Sequence, residues 1–319
     1  MTTRSSLGVD RVLSRYTQLL MNQRSMFKAD MALPSAPVAS QTGRYFQVTP
    51  GFGYASPGTG LLRNSGGSFR RVTTDVNQVD LYNLREYGLE APVDDVNREF
   101  SAEEGLDLRM AATEIAWNGA MIERERNFAA LMFNVTTFAG FTAGLLPADQ
   151  WDNAAADPLN QADIAVESIR QNTGVPRSEI SLLVGAKVWE ALRKSPALTD
   201  FYKNVIAGAK ILDEAQIASV LGIREIIVGN AVANNSAEGL ASSVEDIWGK
   251  FALFYHKVDA PRAMSGHGVG ANFTMRGRQA GRVERYREEP RSEIVLTSWL
   301  EDPVITTPQA GYLFETVVA

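Results

Sequence analysis

The sequence predicts an α+β protein, and three patterns in its 319 residues indicate this class. Two strand-like runs flank a glycine-rich stretch near residue 60. A long helical pattern follows residue 103, and strand-like runs fill residues 265–319. Residues 149–264 instead alternate between helix and strand. Segregated and alternating elements in one chain are typical of a mixed fold, and the length allows two domains.

Composition excludes several kinds of chemistry. The net charge is −6, which argues against a general nucleic-acid binder because such proteins are usually basic. The chain has no cysteine, so disulfides, thiolate nucleophiles and cysteine-based zinc sites are excluded. His256 and His267 are its two histidines, so a histidine-rich metal site or a Ser-His-Asp triad would depend on one of them.

No targeting segment is recognisable in the sequence. The N-terminus lacks an uninterrupted apolar core of secretory length. Residues 129–147 come nearest to the roughly 20 apolar residues of a membrane span, but Asn134, threonines and glycines interrupt them. We therefore expect a soluble protein made in a cytoplasm.

Residues 1–40 are predicted to form an N-terminal arm. Apolar residues over 8–28 approximate helical spacing. Pro34 and Pro37 then end the helical pattern, because proline is excluded from helix interiors. The composition is too apolar for a solvated tail, so we expect the arm to pack on another surface.

Residues 41–82 are predicted to form a long β-hairpin. The strand-like runs GRYFQVT and FRRVTTDVNQVDLYNL flank a tip rich in glycine and proline. About 20 residues per limb at about 3.3 Å each would reach up to about 60 Å. An isolated two-stranded ribbon is marginal in water. The hairpin should therefore lie on its own domain or on a neighbouring subunit.

A long helix, the spine helix, is predicted over residues 103–133. Ser101 and Glu104 fit a capping box at its start. Apolar residues then recur at helical spacing as far as Phe133. The rise would be about 46 Å, much longer than the average helix of about 11 residues.

The central segment carries clear helix and strand signals. Asp157 fits an N-cap, and Gly174 and Gly222 fit helix C-termini. The predicted helices lie at 157–174, 186–195 and 213–222. The predicted strands lie at 180–185, 223–229 and 246–257, and the C-terminal part of the chain adds four more runs beginning at 271, 281, 292 and 310.

A cluster of acids is the most suggestive chemical feature. It comprises Glu90, Asp94, Asp95, Glu99, Glu103 and Glu104. A calcium loop starting at Asp95 fails because its sixth position is Phe100 rather than glycine. A two-carboxylate hydrolase stays open. The favoured interpretation is structural: a turn beginning at Pro92, followed by acids in the first turn of a helix, where they oppose the helix dipole favourably.

The other candidate motifs are weak. GFGYASPGTG and SGHGVG lack the lysine and hydroxyl residue of a phosphate loop and do not join a buried strand to a helix, so they indicate flexible loops. No motif supplies a catalytic partner for His267. Residues 276–291 hold six arginines and three glutamates. Interleaved charges favour cross-strand or intersubunit ion pairs over nucleic-acid contact. We assign no catalytic, cofactor-binding or metal-binding residue.

The order of these parts resembles one family. The phrases that carry the resemblance are SQTGRYFQV, YGLEAPVDDVNRE, LDLRMAATEIAWNGAMIERERNFA, LLVGAKVWEALRKSPAL, IREIIVGNAV, DIWGKFALFYH and RYREEPRSEIVLTSWLEDPVITTPQAGYLF. In this order they resemble the major capsid proteins of tailed bacteriophages, which share the Hong Kong-type shell fold. The resemblance spans nearly the whole chain.

The resemblance implies a layout and a role. Residues 1–40 would be the N-terminal arm and 41–82 the extended loop across a neighbouring subunit. Residues 83–148 and 265–319 would form the peripheral domain with the spine helix, and 149–264 the axial domain. The protein would be a non-enzymatic structural protein that self-assembles into hexamers and pentamers of an icosahedral virion shell around double-stranded DNA. It would need no cofactor, would meet no membrane, and would assemble in the host cytoplasm.

Two departures from the family pattern refine this expectation. About 40 residues precede the hairpin, so any scaffolding protein is expected to be separate; portal and decoration proteins are further expected partners. Residues 41–82 contain arginines but no lysine. A crosslink from a lysine in the extended loop is thus unavailable, and we expect a non-covalent shell.

Two rivals stay open from the sequence. One is the shell protein of an encapsulin-like cellular nanocompartment. The long arm counts against this candidate, and a neighbouring portal or terminase gene would favour the phage protein instead. The other is a metal-dependent hydrolase built on the acids at 90–104. Replacing Asp94 and Asp95 by asparagine separates it from a shell protein, because an enzyme would lose turnover with assembly intact.

Overall fold

A computed structural model describes residues 5–9, 26–45, 65, 67, 80–103, 107–203, 212–236, 243–262, 268–276, 282–287 and 292–319. The helices of these residues are α1 Ala29–Ala32, α2 Asp95–Glu103, α3 Leu108–Met132, α4 Pro158–Thr173, α5 Ala186–Leu192, α6 Pro196–Lys203 and α7 Glu214–Leu221. The strands are β1 Ser5–Val9, β2 Ser35–Val38, β3 Thr42–Tyr45, β4 Asp80–Asn83, β5 Arg85–Asp94, β6 Thr142–Gly144, β7 Ile180–Gly185, β8 Glu225–Gly229, β9 Val232–Asn234, β10 Val244–Asp246, β11 Ala252–His256, β12 Gly270–Met275, β13 Arg282–Arg287, β14 Ser292–Ile305 and β15 Gly311–Glu315.

The first sheet is built around the long strand β14. Strands β13 and β12 pair in succession with one edge of β14, and β5 pairs antiparallel with the other. Strand β1 extends the sheet beyond β13, and β2 pairs parallel with β12. Strands from residues 5–94 and from residues 270–305 therefore share one sheet.

The second sheet has the strand order β6-β15-β11-β7-β8. All six residues of β7 are buried. Leu182 and Val184 contribute to a core on one face with Val166 and Ile169 of α4. Leu183, on the other face, packs in a second core with α1 and the end of α3. Coverage of both faces explains why β7 and β8 read as continuous apolar runs.

Helix α3 is the predicted spine helix, and it connects the two sheets. Its middle packs on the first sheet, where Trp117 and Met121 meet Trp299 of β14. Its last turns place Phe128 and Met132 in the core of the second sheet. Twenty-five residues correspond to about 37 Å.

The predicted start of the spine helix is wrong. The helix begins at Leu108, and Asp107 caps it by accepting hydrogen bonds from the backbone N–H groups of Arg109 and Met110, at 3.0 and 3.4 Å. Ser101 lies instead inside the separate helix α2. The acid-rich stretch therefore opens a shorter helix, and a second aspartate opens the long one.

The predicted turn at Pro92 is also wrong. Pro92 lies in β5, opposite Ile294 of β14. Among the described residues, β5 has a strand neighbour on one edge only, and edge strands are where a sheet tolerates proline.

Two further predictions from the sequence differ from the structure. The strand predicted at 246–257 begins at Ala252, because Gly249 turns the chain with a φ of +55°. Residues 5–9 form β1, which overlaps the first two residues of the helical pattern predicted over 8–28. Residues 10–25 lie outside the described residues. The helix α4 and the capping residues Asp157, Gly174 and Gly222 are confirmed.

Candidate functional site

The acids singled out in the sequence do not converge on one site. Glu90 is exposed on β5, and Asp94 ends that strand. Asp95, Glu99 and Glu103 follow in α2, and Glu104 lies outside the described residues. Within the described part of the chain, no group of three or more His, Asp or Glu side chains is placed to hold a metal ion.

Two of these acids stabilise the start of α2. The Asp94 carboxylate accepts a hydrogen bond from the backbone N–H of Asn97 at 3.3 Å. Asp95 forms an ion pair with Arg98 at 3.2 Å, one turn along the helix. Both contacts fit the expected preference for acids at helix N-termini. Their role is local and structural.

Glu293 of β14 forms a buried ionic junction. Its side chain is 1% exposed, and its carboxylate accepts hydrogen bonds from Arg98, Arg109 and Arg285 at 3.2, 2.8 and 2.9 Å. Burial alone would raise the pKa of Glu293, but the guanidinium groups of Arg109 and Arg285 outweigh it and lower that pKa. The junction joins α2, α3 and the β13–β14 pair. For Arg285, the ion pairing predicted from the interleaved charges is confirmed.

Arg124 of α3 forms a second junction that includes the arm. Its guanidinium donates two hydrogen bonds to Asp30 of α1, at 3.0 and 2.7 Å, and its Nε donates to Glu301 of β14 at 2.8 Å. Asn272 of β12 also donates to Glu301, at 2.9 Å. Arg124 and Glu301 are both buried. One arginine thereby connects the arm, the spine helix and the first sheet.

Glu125, the next residue, makes a third junction toward the second sheet. Its carboxylate accepts hydrogen bonds from the backbone N–H of Ala29 at 2.6 Å and from the indole N–H of Trp248 at 2.7 Å. Burial raises the pKa of Glu125, and these two donors offset part of that rise. The tyrosine hydroxyl of Tyr255 adds a bond to the backbone carbonyl of Ala32 at 2.7 Å. The arm helix is therefore held by both α3 and the second sheet.

Sequence reasoning missed these arm contacts. Arg124 and Glu125 occur in the run MIERERNFA, where charged residues of both signs resemble a solvated helix face. One signal was available, since both lie on the same helical stripe as the apolar Trp117, Met121 and Phe128.

The base of the predicted hairpin is confirmed. Strands β3 and β4 pair antiparallel, with Thr42 opposite Asn83 and Tyr45 opposite Asp80. The backbone N–H of Asn83 donates to the Asp302 carboxylate of β14 at 2.8 Å, which ties the base to the first sheet. Most of the limbs and the tip, residues 46–79 apart from 65 and 67, lie outside the described residues.

Large apolar side chains are exposed on several elements of the single subunit. The most exposed are Leu81, Ile115, Leu146 and Val244, at 67, 69, 68 and 61%. Apolar side chains exposed singly on separate elements are normal on a protein surface and mark no ligand pocket. The helices that the structure describes include none long and apolar enough to cross a membrane.

The histidines form no catalytic arrangement in the described residues. His256 is buried, and its Nε2 lies 3.5 Å from a carboxylate oxygen of Glu179. His267 lies outside the described residues.

Two curated relatives match most of the chain. The major capsid protein of Pseudomonas phage JBD67 is 26% identical over 300 residues, which cover 91% of this chain and 92% of that protein. The major capsid protein of Burkholderia phage BcepMu is 25% identical over 253 residues, 78% of each chain. No protein-family model matches the sequence.

Solved structures share the fold. A phage-related protein from Bordetella bronchiseptica is 22% identical, with a TM-score of 0.74 over 97% of both chains. The capsid of cyanophage P-SCSP1u gives a TM-score of 0.54 over 88% of this chain and 85% of that one, at 13% identity. An encapsulin from Synechococcus elongatus also gives 0.54, over 93% and 90%, at 12% identity.

At these identities the structures establish the fold alone, and the two curated relatives support a structural role in a capsid. The three junctions and the hairpin base connect the arm, the spine helix and the two sheets to one another. The chain is therefore a relative of the phage major capsid proteins, with their Hong Kong-type shell fold and a structural role in a capsid.

Proposed function

We propose that this protein is a major capsid protein whose copies assemble as hexamers and pentamers into an icosahedral shell around double-stranded DNA. The observation that carries the proposal is the 26% identity to a phage major capsid protein across 91% of the chain. Closed symmetric rings suit such a subunit, because many modest contacts sum to high overall stability.

The domain division is part of the proposal. Residues 1–40 form the arm, 41–82 the extended loop, 83–148 with 265–319 the peripheral domain, and 149–264 the axial domain. The first sheet, which draws on residues 5–94 and 270–305, supports the peripheral grouping. Strand β15 pairs with β11 in the second sheet, so the C-terminus also contributes to the axial core.

We further propose that the protein is not an enzyme and that it assembles in the host cytoplasm with separate scaffolding, portal and possible decoration proteins. The dispersed acids support a non-enzymatic role, because a two-carboxylate site needs both groups on one substrate. In the described residues Asp94 instead caps α2, and Asp95 pairs with Arg98. DNA would be enclosed without sequence-specific binding.

Electron microscopy of the expressed protein tests the proposal. We expect shells, tubes or capsomer rings, either from the protein alone or after addition of its scaffolding protein. A monomer that persists under all of these conditions would contradict it. The doubly substituted Asp94→Asn, Asp95→Asn protein serves as a control, because a hydrolase would lose turnover while its assembly state stayed unchanged.

An encapsulin-like nanocompartment is the second candidate, favoured by the structural likeness over 93% of the chain to a cyanobacterial encapsulin. The contents of particles purified from the native source distinguish the two. Packaged double-stranded DNA supports the phage capsid, whereas a protein cargo without DNA supports the nanocompartment.

A further inference from the structure

The base of the hairpin carries an unusual close contact between Gly43 of β3 and Tyr82 of β4. These residues are directly opposite each other in the antiparallel pair. A Cβ atom at Gly43 would lie 2.5 Å from Cζ of the Tyr82 ring. The tyrosine ring therefore occupies the space that any side chain at position 43 would need, which explains why glycine stands in a strand here.

The same ring packs against the body of the protein. Tyr82 stacks on Phe273 of β12, with ring centroids 4.7 Å apart and ring planes at 22°. Phe273 is 1% exposed, and Tyr82 is 5% exposed. Tyr45 also contacts Phe273, at 5.8 Å between centroids. Tyr82 thus contacts the hairpin backbone and the rigid first sheet at once.

The face of the hairpin base opposite Tyr82 includes a largely exposed leucine. Leu81 lies opposite Arg44, on the face away from Tyr82, and is 67% exposed. Each base strand has only four residues, and a ribbon that short is not stable by itself. Its orientation therefore depends on contacts with the body, which include the stacking of Tyr82 on Phe273 and the hydrogen bond from the backbone N–H of Asn83 to Asp302.

We propose that Tyr82 is a positioning residue: by packing between Gly43 and Phe273, it sets the direction in which the hairpin leaves the body. The inference rests on the proposed function, because that direction matters through the neighbouring subunit the hairpin reaches.

A distance measurement on the unassembled subunit tests the proposal. The chain has no cysteine, so spin labels can be attached at two introduced cysteines, Ser65→Cys in the hairpin and Asn127→Cys on the spine helix, both at exposed positions. We expect Tyr82→Ala to replace a narrow distance distribution with a shifted or broadened one. An unchanged distribution in a folded Tyr82→Ala subunit would overturn the proposal.

Two further variants separate positioning from general stability. Tyr82→Phe keeps the ring and loses only the hydroxyl, which lies 3.2 Å from the Ser40 hydroxyl, so it should retain the wild-type distribution. A changed distribution in Tyr82→Phe would mean that the hydroxyl, not the ring, positions the hairpin. If Tyr82→Ala fails to fold by near-ultraviolet circular dichroism, Phe273→Leu removes the stacking partner from the body side and should broaden the same distribution.

Assembly provides an independent readout. If the wild-type protein never forms shells, the proposed function is contradicted. The spin-label distances still test the role of Tyr82, because they are measured on the unassembled subunit. Wild-type shells combined with irregular particles from Tyr82→Ala, under the same conditions, would support both. The Tyr82→Ala variant could also show a changed spin-label distance and still form uniform shells like those of the wild type. That result would show that assembly corrects the hairpin direction, and it would overturn a positioning role in assembly.

Discussion

Arg124 and Glu125 are neighbours in sequence and carry opposite charges, yet each satisfies its charge with a different set of partners. Arg124 uses two carboxylates, whereas Glu125 uses two neutral N–H donors. Buried charges cost several kcal/mol unless such partners are present. Both residues reach α1, so the short arm helix depends on a pair of buried charges on the spine helix.

Replacing Arg124 by alanine should destabilise the subunit by about 3–5 kcal/mol, because it leaves the buried Glu301 carboxylate without its cation. Denaturant unfolding of the unassembled protein measures this loss. Arg126→Ala is the matched control on the same helix. Its side chain is 39% exposed, and its loss should cost less than about 1 kcal/mol. Equal losses in the two variants would refute the structural importance of the Arg124 junction.

Glu125 should give the subunit a distinctive pH dependence. Its folded-state pKa is raised by burial above the ordinary value of 4.5, so the folded protein binds this proton more tightly than the unfolded chain. The contribution of Glu125 to stability is therefore highest at acid pH and falls as pH rises through the raised pKa. Unfolding free energies of wild type and Glu125→Gln, compared from about pH 4 to about pH 8, should show wild type losing stability relative to the variant. A gain with rising pH would contradict the inferred direction.

At the scale of elements, the capping residues show why the sequence predicted the ends of one helix and not the start of another. Helix α4 could be predicted because Asp157, Pro158 and Gly174 lie at its ends and no competing signal is near. The start of α3 could not be predicted, because acidic residues that fit helix N-termini occur both before α2 and before α3. Arg98 of α2 and Arg109 of α3 both contact Glu293, a partner far away in sequence that no local rule reveals.

Asp107→Ala should therefore cost the spine helix about 1 kcal/mol, the usual value of an N-cap. Ser101→Ala, at the position of the predicted cap, should cost clearly less, because Ser101 lies within α2 rather than at the start of α3. Thermal or denaturant unfolding of both variants distinguishes the two positions. A larger loss for Ser101→Ala would restore the capping box inferred from the sequence.

The strands show a similar division. The buried runs of β7 and β8 were predictable from their continuous apolar residues, and their burial on both faces explains that pattern. Strand β5 was not predicted, since Pro92 and the surrounding acids are typical of a turn. Its place follows from the ten-residue pairing with β14, which no local rule reveals. The arm contacts were unpredictable for the same reason, because Asp30 and Arg124 lie 94 residues apart.

At the scale of the whole molecule, the arm acts as a connection between the two sheets. Ala29, Ala32 and Leu33 are buried in the core of the second sheet. Three and five residues after Leu33, Ala36 and Val38 pack in a core of the first sheet, and β2 pairs with β12. Residues 26–38 of the arm therefore pack on the subunit body, as their apolar composition predicted.

The proposed shell should be held together without covalent bonds from the extended loop. Residues 41–82 contain no lysine, so the loop offers no amine for an isopeptide bond. Mature particles boiled in detergent and separated by electrophoresis should give one band near the chain mass of 34.9 kDa. Stability must then come from buried area, and about 1,000 Å² of apolar surface per hairpin would contribute about 25 kcal/mol before ordering and association costs. A ladder of covalent multimers would contradict this prediction and would require a crosslink that begins outside the loop.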